Sequence, residues 1–142
     1  MDFSETLTVP AQFESLTEVD EFVAHAAKVA GLDARAVYAV QLAVDEACSN
    51  IIEHAYQGKE TGAIGCTCEI TPDSLVVILN DHGRCFDPTH ASEPDLSPKL
   101  GDRAQGGLGI YFIRKLMDRV EYKYSPDCGN TLKLVKRRET SS

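Results

Sequence analysis

The pattern of apolar and polar residues predicts two long helices in the first half of the chain. In the second helix the apolar positions recur every three or four residues and share one arc at about 100° per residue, namely Val37, Val40, Val44, Ala47 and Ile51. We expect Asp33 to cap this helix, which should run to about Tyr56. The helix before it should begin near Thr17, with Asp20 completing a capping box, and end at Gly31.

Alternating or continuous apolar runs predict strands on either side of these helices. In chain order they are expected at 3–9, 62–71, 74–80, 120–124 and 131–135, with a turn at Pro72-Asp73. A further helix is expected at 108–117, after a proline-punctuated segment at 83–105 that is typical of a functional lid. This order predicts an α+β fold, a two-layer α/β sandwich with a mixed, mostly antiparallel sheet and helices on one face.

Composition and charge narrow the class of protein. With 142 residues and 43% apolar content, the chain should form one domain over 1–142, apart from a tail at its last few residues. A net charge of −8 argues against nucleic acid as a ligand, and we interpret Lys136-Arg137-Arg138 as a solvated tail. No apolar run approaches the roughly 20 residues of a membrane span. Neither a signal peptide nor a membrane partner is expected, and five cysteines without metal-binding spacing suggest reduced thiols in the cytoplasm.

A polar stripe lies beside the apolar arc of the second predicted helix. Its members are Glu46, Asn50 and His54, each four residues from the next. An ordinary amphipathic helix also has such a stripe, but Asn has poor helix propensity, so Asn50 in mid-helix favours a functional role. Its amide oxygen suits a hard cation such as Mg²⁺, and Glu46 one turn away suits a general base. For His54 we favour a structural hydrogen bond over catalysis.

A loop with a carboxylate and a glycine follows the buried strand at 74–80. Asp81 stands where the strand ends, and Gly83 lets the backbone approach a flat ring. A carboxylate at this point accepts a hydrogen bond from an amino group, which suits the exocyclic amine of adenine. An Asp-x-Gly turn that merely closes a loop fits the same residues.

A second glycine-marked segment opens the helix at 108–117. Its residues are Gly106, Gly107, Leu108 and Gly109. The N-terminus of a helix presents free N–H groups, and glycines allow a phosphate to come close. The motif matches neither the Walker loop nor the dinucleotide fingerprint, so its position at the end of the lid is what indicates a phosphate site.

Taken in order, these three motifs resemble those of the GHKL (Bergerat) ATP-binding fold of histidine kinases and gyrase-type ATPases. The segments EACSNIIEHAY, DHGRCFDP and GGLGIYFIRKLMDRVEY look like the bacterial anti-sigma-factor serine kinases of the RsbW type. The resemblance covers about residues 5–138. It implies an ATP-dependent serine/threonine protein kinase that phosphorylates a serine of a STAS-domain anti-anti-sigma protein and also holds a sigma factor in an alternative complex.

The resemblance also implies roles for individual residues. Glu46 would be the catalytic base, Asn50 would hold Mg²⁺, and Asp81 would bind the adenine amine beside Gly83. The three glycines and Leu108 of the second segment would shape the end of the lid around the phosphates of ATP. Thr131, within Gly129-Asn130-Thr131, would join the adenine network.

One residue departs from the family pattern. Cys85 stands where this fold commonly has glycine and where close relatives often have proline. The contacts on the adenine side of the pocket near Cys85 are therefore expected to differ from those of the family.

Other functions remain open at this point. The chain could be an ATP-gated module that sequesters a protein partner with little phosphotransfer, although a pure binder has no need of the base Glu46. A detached histidine-kinase catalytic domain or a simple hydrolase fits the residues less well. A homodimer formed through the sheet is also implied by the resemblance, with the strand at 3–9 as a candidate edge.

Overall fold

The computed structural model describes residues 3–58, 62–85, 107–127 and 129–138, with the backbone alone at 107–110. It contains three α-helices and five strands, with a 3₁₀ turn before the first helix and a π-helical turn after the second. In chain order they are β1 (Phe3–Pro10), the 3₁₀ turn (Phe13–Ser15), α1 (Leu16–Val29), α2 (Ala34–Asn50), the π-helical turn (Ile51–Ala55), β2 (Ala63–Ile70), β3 (Ser74–Asp81), α3 (Gly107–Leu116), β4 (Arg119–Ser125) and β5 (Gly129–Arg137).

The strands form one sheet in the order β1-β2-β3-β5-β4. All pairs of neighbouring strands in the described chain are antiparallel. The α+β class is therefore confirmed, while the parallel pairing that a mixed sheet would contain is not found among these strands. β3 is central, and its last residue, Asp81, lies directly opposite Asn130 of β5.

The core lies between the helices and one face of the sheet. The central strands present alternate residues to the helices, and these are almost fully buried: Ile64, Cys66, Cys68, Leu75, Val77 and Leu79. The apolar arc predicted for α2 is also buried in full. Each such aliphatic side chain contributes roughly 1.5–3 kcal/mol when it leaves water, so this layer holds α2 firmly against the sheet.

The capping box predicted at the N-terminus of α1 was wrong. The 3₁₀ turn runs directly into the helix, Ser15 takes the cap position without a side-chain hydrogen bond, and Thr17 lies inside the first turn. The predicted cap of α2 is confirmed, because Asp33 accepts a hydrogen bond of 2.8 Å from the N–H of Ala36. Gly31, with φ of 84°, ends the first helix as expected.

The basic cluster near the end of the chain is not a solvated tail. Lys136 and Arg137 belong to β5 and pair with Leu75 and Ser74 of β3. The backbone pairing of this strand continues to its end because its inward residues, such as Leu134, are apolar and reach the core. None of the helices in the described part of the chain is long and apolar enough to cross a membrane. The four cysteines within the described ranges, Cys48, Cys66, Cys68 and Cys85, are free thiols.

Candidate functional site

A cleft opens where α2 ends beside the end of β3. It encloses about 320 Å³ of empty space, open solvent at its mouth included. We call it the Asp81 cleft; it is lined by Ala47, Asn50, Ile51, Ala55, Leu79, Asp81, Tyr122, Asn130 and Leu132. The lining is mostly apolar with a few polar groups, as expected for a site that binds an aromatic ring.

Asp81 is the buried carboxylate of this cleft, with 1% of its surface exposed. Its Oδ1 atom accepts a hydrogen bond of 2.8 Å from the N–H of Gly83 and one of 2.9 Å from Nδ2 of Asn130. Burial raises the pKa of Asp81, while the hydrogen bonds from Asn130 and Gly83 and the nearby His82 lower it in part. Among the described residues no donor is bonded to the other oxygen, Oδ2, which leaves that atom for a ligand.

Asn130 is a member of the site that the sequence analysis missed. Besides Asp81, its Nδ2 atom donates to the carbonyl of Arg84 at 2.8 Å, and its Oδ1 atom accepts a hydrogen bond from the hydroxyl of Tyr122. The Tyr122 hydroxyl fixes the orientation of the amide, because a hydroxyl that donates must face the amide oxygen. The amide nitrogen is thereby held toward Asp81.

Thr131 is not brought to the cleft. It lies opposite Asn80 in the β3–β5 ladder, and its hydroxyl accepts a hydrogen bond of 3.2 Å from Nδ2 of Asn80. Successive side chains of a strand point to opposite faces, so Thr131 faces away from the helices when Asn130 faces toward them. Its neighbour Asn130 is the residue of β5 that contacts Asp81, and the place of Thr131 in an adenine network stays a prediction.

The loop after β3 is bound to the end of the α2 helix. The last carbonyls of a helix have no partner within it, and here those of His54 and Ala55 accept from Arg84: His54 from the side-chain Nε at 2.8 Å and Ala55 from the backbone N–H at 2.9 Å. This hydrogen bond is made by the backbone of His54, so the structural role predicted for its side chain stays a prediction. The π-helical turn supplies these carbonyls, and such turns occur often at functional sites.

Gly83 is required by this close approach. A Cβ atom at this position would lie 2.5 Å from the carbonyl oxygen of Ala55, well inside contact distance. The sequence analysis assigned Gly83 to an approach of the backbone toward a flat ring. In the structure the approach is toward the π-helical turn, which holds the loop beside Asp81.

Tyr56 secures the same loop from its other side, and its role was not anticipated. Its hydroxyl donates to the carbonyl of Ala63 at 2.8 Å and accepts from the N–H of His82 at 2.9 Å. Its ring covers Gly62, where a Cβ atom would lie 2.2 Å from the ring. The sequence gives no sign of this role, because Tyr56 stands at the end of a predicted helix and its partners, Ala63 and His82, are brought to it by the sheet.

Asn50 lines the cleft from α2 and is 6% exposed. Its Nδ2 atom is buried and has no hydrogen-bond partner among the described residues. A buried amide group without a hydrogen-bond partner destabilises the folded protein by about 1–3 kcal/mol, unless a ligand supplies that partner. The amide oxygen and nitrogen are assigned by their surroundings, so the end of Asn50 can present its oxygen to a cation.

Glu46 lies one turn before Asn50 and is exposed at the surface of α2, outside the residues that line the cleft. Its pKa is raised, first by partial burial and then by the negative charges of Glu53 and Asp45. A carboxylate with a raised pKa is a stronger base, which suits proton transfer.

The glycine segment before α3 is described only in part. Gly106 lies outside the described residues, while the backbone of Gly107, Leu108 and Gly109 forms the first turn of α3, which packs against α2. Most of the lid predicted at 83–105, from residue 86 onward, also lies outside the described ranges.

The exposed thiol of Cys85 reaches the edge of the cleft. Its Sγ atom lies 3.5 Å from the hydroxyl of Tyr122, within a weak hydrogen-bonding distance. The departure from the family pattern therefore falls where it was expected, beside the residues that hold Asp81. Its effect on ligand binding stays a prediction.

Comparison with known proteins gives a consistent result. Residues 9–136 match the model of the histidine kinase-like ATPase domain. The serine-protein kinase RsbW of Halalkalibacterium halodurans is 34% identical over 134 residues, which are 92% of this chain and 80% of that protein. RsbW of Listeria innocua is 33% identical over 124 residues, 84% of this chain and 78% of that protein. RsbW of Bacillus pumilus is 39% identical over a shorter stretch of 89 residues.

Proposed function

We propose, from the premise that this chain belongs to the family of histidine kinase-like ATPase domains, that it is an ATP-dependent serine-protein kinase of the anti-sigma type. It transfers the γ-phosphoryl group of ATP to a serine of a STAS-domain anti-anti-sigma protein and alternates between this partner and a sigma factor. The similarity to RsbW proteins over most of the chain supports this assignment. The observation that carries it is the buried Asp81 with one oxygen held by the protein and the other left for a ligand.

Asp81 selects the base of the nucleotide. Gly83 and Asn130 occupy Oδ1, so Oδ2 accepts a hydrogen bond from the 6-amino group of adenine. Guanine carries a carbonyl at that position, which would face the carboxylate with two acceptors and no proton between them. The unpaired acceptor would cost about 1–3 kcal/mol, so the same geometry discriminates against GTP.

Asn50 is the residue that fits a magnesium ion. It is buried and faces the cleft, and its amide has no described partner that would compete with a ligand. Among the described residues no three His, Cys, Asp or Glu side chains form a metal site, so the remaining ligands would come from phosphate oxygens and water, as is usual for Mg²⁺. The ion, when bound, neutralises the charge that develops on the phosphates.

Glu46 accepts the proton of the serine hydroxyl. It is exposed, as a base for a macromolecular substrate must be, and it lies one helical turn from Asn50. Its raised pKa favours proton transfer from a hydroxyl as the new bond to phosphorus forms. In the first turn of α3, the N–H groups of Gly107, Leu108 and Gly109, together with Gly106 before it, are proposed to contact the phosphates of ATP.

The chain pairs with a second copy through the outer face of the sheet and its β1 edge. β1 lies at the edge of the sheet, where its backbone is open to pairing, and its outward Thr6 is bonded to Thr67 of β2 at 2.8 Å. The proposed partners also place the protein in the cytoplasm, where transcription is regulated.

A phosphotransfer assay tests the proposed function. Purified protein is mixed with γ-labelled ATP, Mg²⁺ and each STAS-domain protein encoded by the same genome. The proposal expects label on a serine of one partner. If the protein binds ATP but labels none of these partners, the kinase assignment is wrong, and the ATP-gated binding module becomes the better account.

A further inference from the structure

A wide groove lies on the side of the molecule where the N-terminal half of α2 meets the C-terminal end of α3. The end of β5 forms its third wall. It encloses about 1680 Å³ of space, open solvent at its mouth included, and we call it the α2–α3 groove. It shares no residue with the Asp81 cleft, so the nucleotide site does not account for it.

The groove concentrates positive charge in an acidic protein. Five of the 14 Lys and Arg residues of the chain line it, namely Arg35, Lys115, Lys136, Arg137 and Arg138, whereas the whole chain has a net charge of −8. Two acidic residues, Asp33 and Asp118, also line it, so five positive and two negative side chains leave a formal charge of +3. Asp33 accepts from the N–H of Ala36 at 2.8 Å, and Asp118 accepts from the backbone N–H of Arg137 at 2.6 Å.

The positive charges are not neutralised within the described part of the chain. The side chains of Lys136 and Arg138 donate to the carbonyls of Leu116 and Pro72, at 2.8 and 2.9 Å, and a carbonyl carries no net charge. The described residues give these five cations no ion pair with a carboxylate, and the salt bridge found there joins Arg119 to Glu121 on β4. The groove therefore offers uncompensated positive charge to a partner.

Apolar side chains are exposed between these charges. Tyr38 is 62% exposed and Leu42 is 37% exposed, and both line the groove from α2. On α3, Phe112 is 49% exposed and lies one turn before Leu116, which lines the opposite wall. Exposed aromatic residues beside arginine are the composition that contributes most to binding at protein interfaces.

The groove leads along α2 to the proposed base. Tyr38, Leu42 and Glu46 are spaced four residues apart, so they lie on successive turns of one helix face. A polypeptide that packs on Tyr38 and Leu42 reaches Glu46 within one further turn. The groove and the proposed base therefore share one face of α2, which connects the groove with the proposed phosphotransfer.

We propose that the α2–α3 groove binds an acidic amphipathic segment of the protein substrate and so brings the substrate serine toward Glu46. The apolar side chains of that segment pack on Tyr38 and Leu42, and its carboxylates pair with Arg35 and Lys115. The inference rests on the proposed kinase function for the identity of the partner. The charge and exposure of the groove support an acidic occupant independently of it.

Steady-state kinetics on the full chain test the proposal, and the substrate is the unphosphorylated form of the STAS-domain protein that wild type labels. Arg35→Glu and Tyr38→Ala should each raise KM for the protein substrate at least tenfold, with kcat and ATP affinity within about twofold of wild type. The KM of Arg35→Glu should also depend less on salt. The matched controls are Lys123→Glu on β4 and Phe13→Ala before α1, both exposed and outside the groove, and both should leave KM unchanged.

A second measurement separates failure of the groove from failure of the kinase assignment. If wild type phosphorylates no STAS-domain protein, the full chain is titrated, with NMR detection, with an amphipathic helical peptide that carries Leu on one face and Glu on the other. Shifts confined to the groove, absent for the same peptide with Lys in place of Glu and lost in Arg35→Glu, support the proposal. Absent shifts, or equal shifts with both peptides, overturn it. Groove shifts on dilution of the chain alone assign the surface to a second copy, which also overturns it.

Discussion

Asn130 and Asp81 face each other across the β3–β5 ladder, and Nδ2 of Asn130 donates a hydrogen bond of 2.9 Å to Oδ1 of Asp81. The pair links the two central strands at the floor of the cleft. Through the hydroxyl of Tyr122, the orientation of the amide is also fixed. One carboxylate oxygen is thus held by the protein, and the other is presented to a ligand.

This relationship predicts that Asn130→Ala weakens ATP binding. The variant removes one of the two donors to Oδ1 of Asp81 and takes the side-chain donor from the carbonyl of Arg84, a loss of about 1–3 kcal/mol, which corresponds to roughly 5- to 150-fold in affinity. Titration calorimetry with ATP measures it. Thr131→Ala is the control, since Thr131 faces the other side of the sheet. If both variants lose the same affinity, the adenine contact lies at Thr131 after all.

Gly83→Ala should break the contact between the loop after β3 and the π-helical turn. The added Cβ would meet the carbonyl oxygen of Ala55 at 2.5 Å, and overpacking of this kind costs about 1–3 kcal/mol. We expect a lower free energy of unfolding in urea and at least a tenfold loss of ATP affinity. Gly65→Ala is the matched control in β2, where the nearest atom would lie 3.8 Å away. Equal effects of the two substitutions would show that the loss comes from glycine flexibility and not from contact with Ala55.

Glu46→Gln should abolish phosphotransfer and leave ATP binding intact. The amide keeps the size of the side chain but removes the base, which is worth roughly 10²- to 10⁴-fold in rate. Single-turnover phosphotransfer gives the rate, and calorimetry gives the ATP affinity. Glu53→Gln, a neighbouring exposed carboxylate, serves as control and should retain the wild-type rate. If Glu46→Gln transfers phosphate at the wild-type rate, Glu46 is not the catalytic base.

We predict that the free energy of unfolding depends on pH through Asp20, which does not line the Asp81 cleft. Burial, followed by the hydrogen bond and charge of Asp45 on the adjoining helix, raises the pKa of Asp20 from 3.8 to about 7. The folded state therefore binds more protons than the unfolded state between these two values, so the free energy of unfolding falls as pH rises through this window. Above about pH 7 the contribution no longer changes.

Asp20→Asn removes this dependence. We expect it to stabilise the protein by about 1–2 kcal/mol near pH 8, after a discount for solvent screening, and by roughly a third of that near pH 5. Urea unfolding at both values measures the difference. Glu18→Gln, an exposed position on the same helix, should change stability equally at the two values. A gap between Asp20→Asn and wild type that does not vary with pH contradicts the assignment to Asp20.

Much of the fold was predictable because its signals are local. The apolar arc of α2, its cap at Asp33 and the turn at Pro72-Asp73 depend on residues within a few positions of each other. The cap of α1 was mispredicted because Thr17 and Asp20 have the spacing of a capping box, while the 3₁₀ turn before the helix moved the cap to Ser15.

The candidate site was predictable only where a motif lies on one element. Asn50 and Asp81, predicted from separate motifs, do line one cleft. Asn130 and Tyr122 were missed, because they come from β5 and β4 and meet Asp81 only when the sheet is assembled. Thr131, which the resemblance implied, does not line the cleft, because alternation along a strand puts it on the face opposite to Asn130.

The sequence by itself determined the order of helices and strands, the buried arc of α2 and the presence of an amide and a carboxylate suited to a nucleotide. Only the tertiary structure decided which oxygen of Asp81 is left for a ligand and that Arg84 binds the end of the α2 helix. It also placed Lys136 and Arg137 beside Tyr38 in one basic groove. The physical reason is range: periodicity and capping act over a few residues, whereas these contacts join segments that are distant along the chain and meet through strand pairing and core packing.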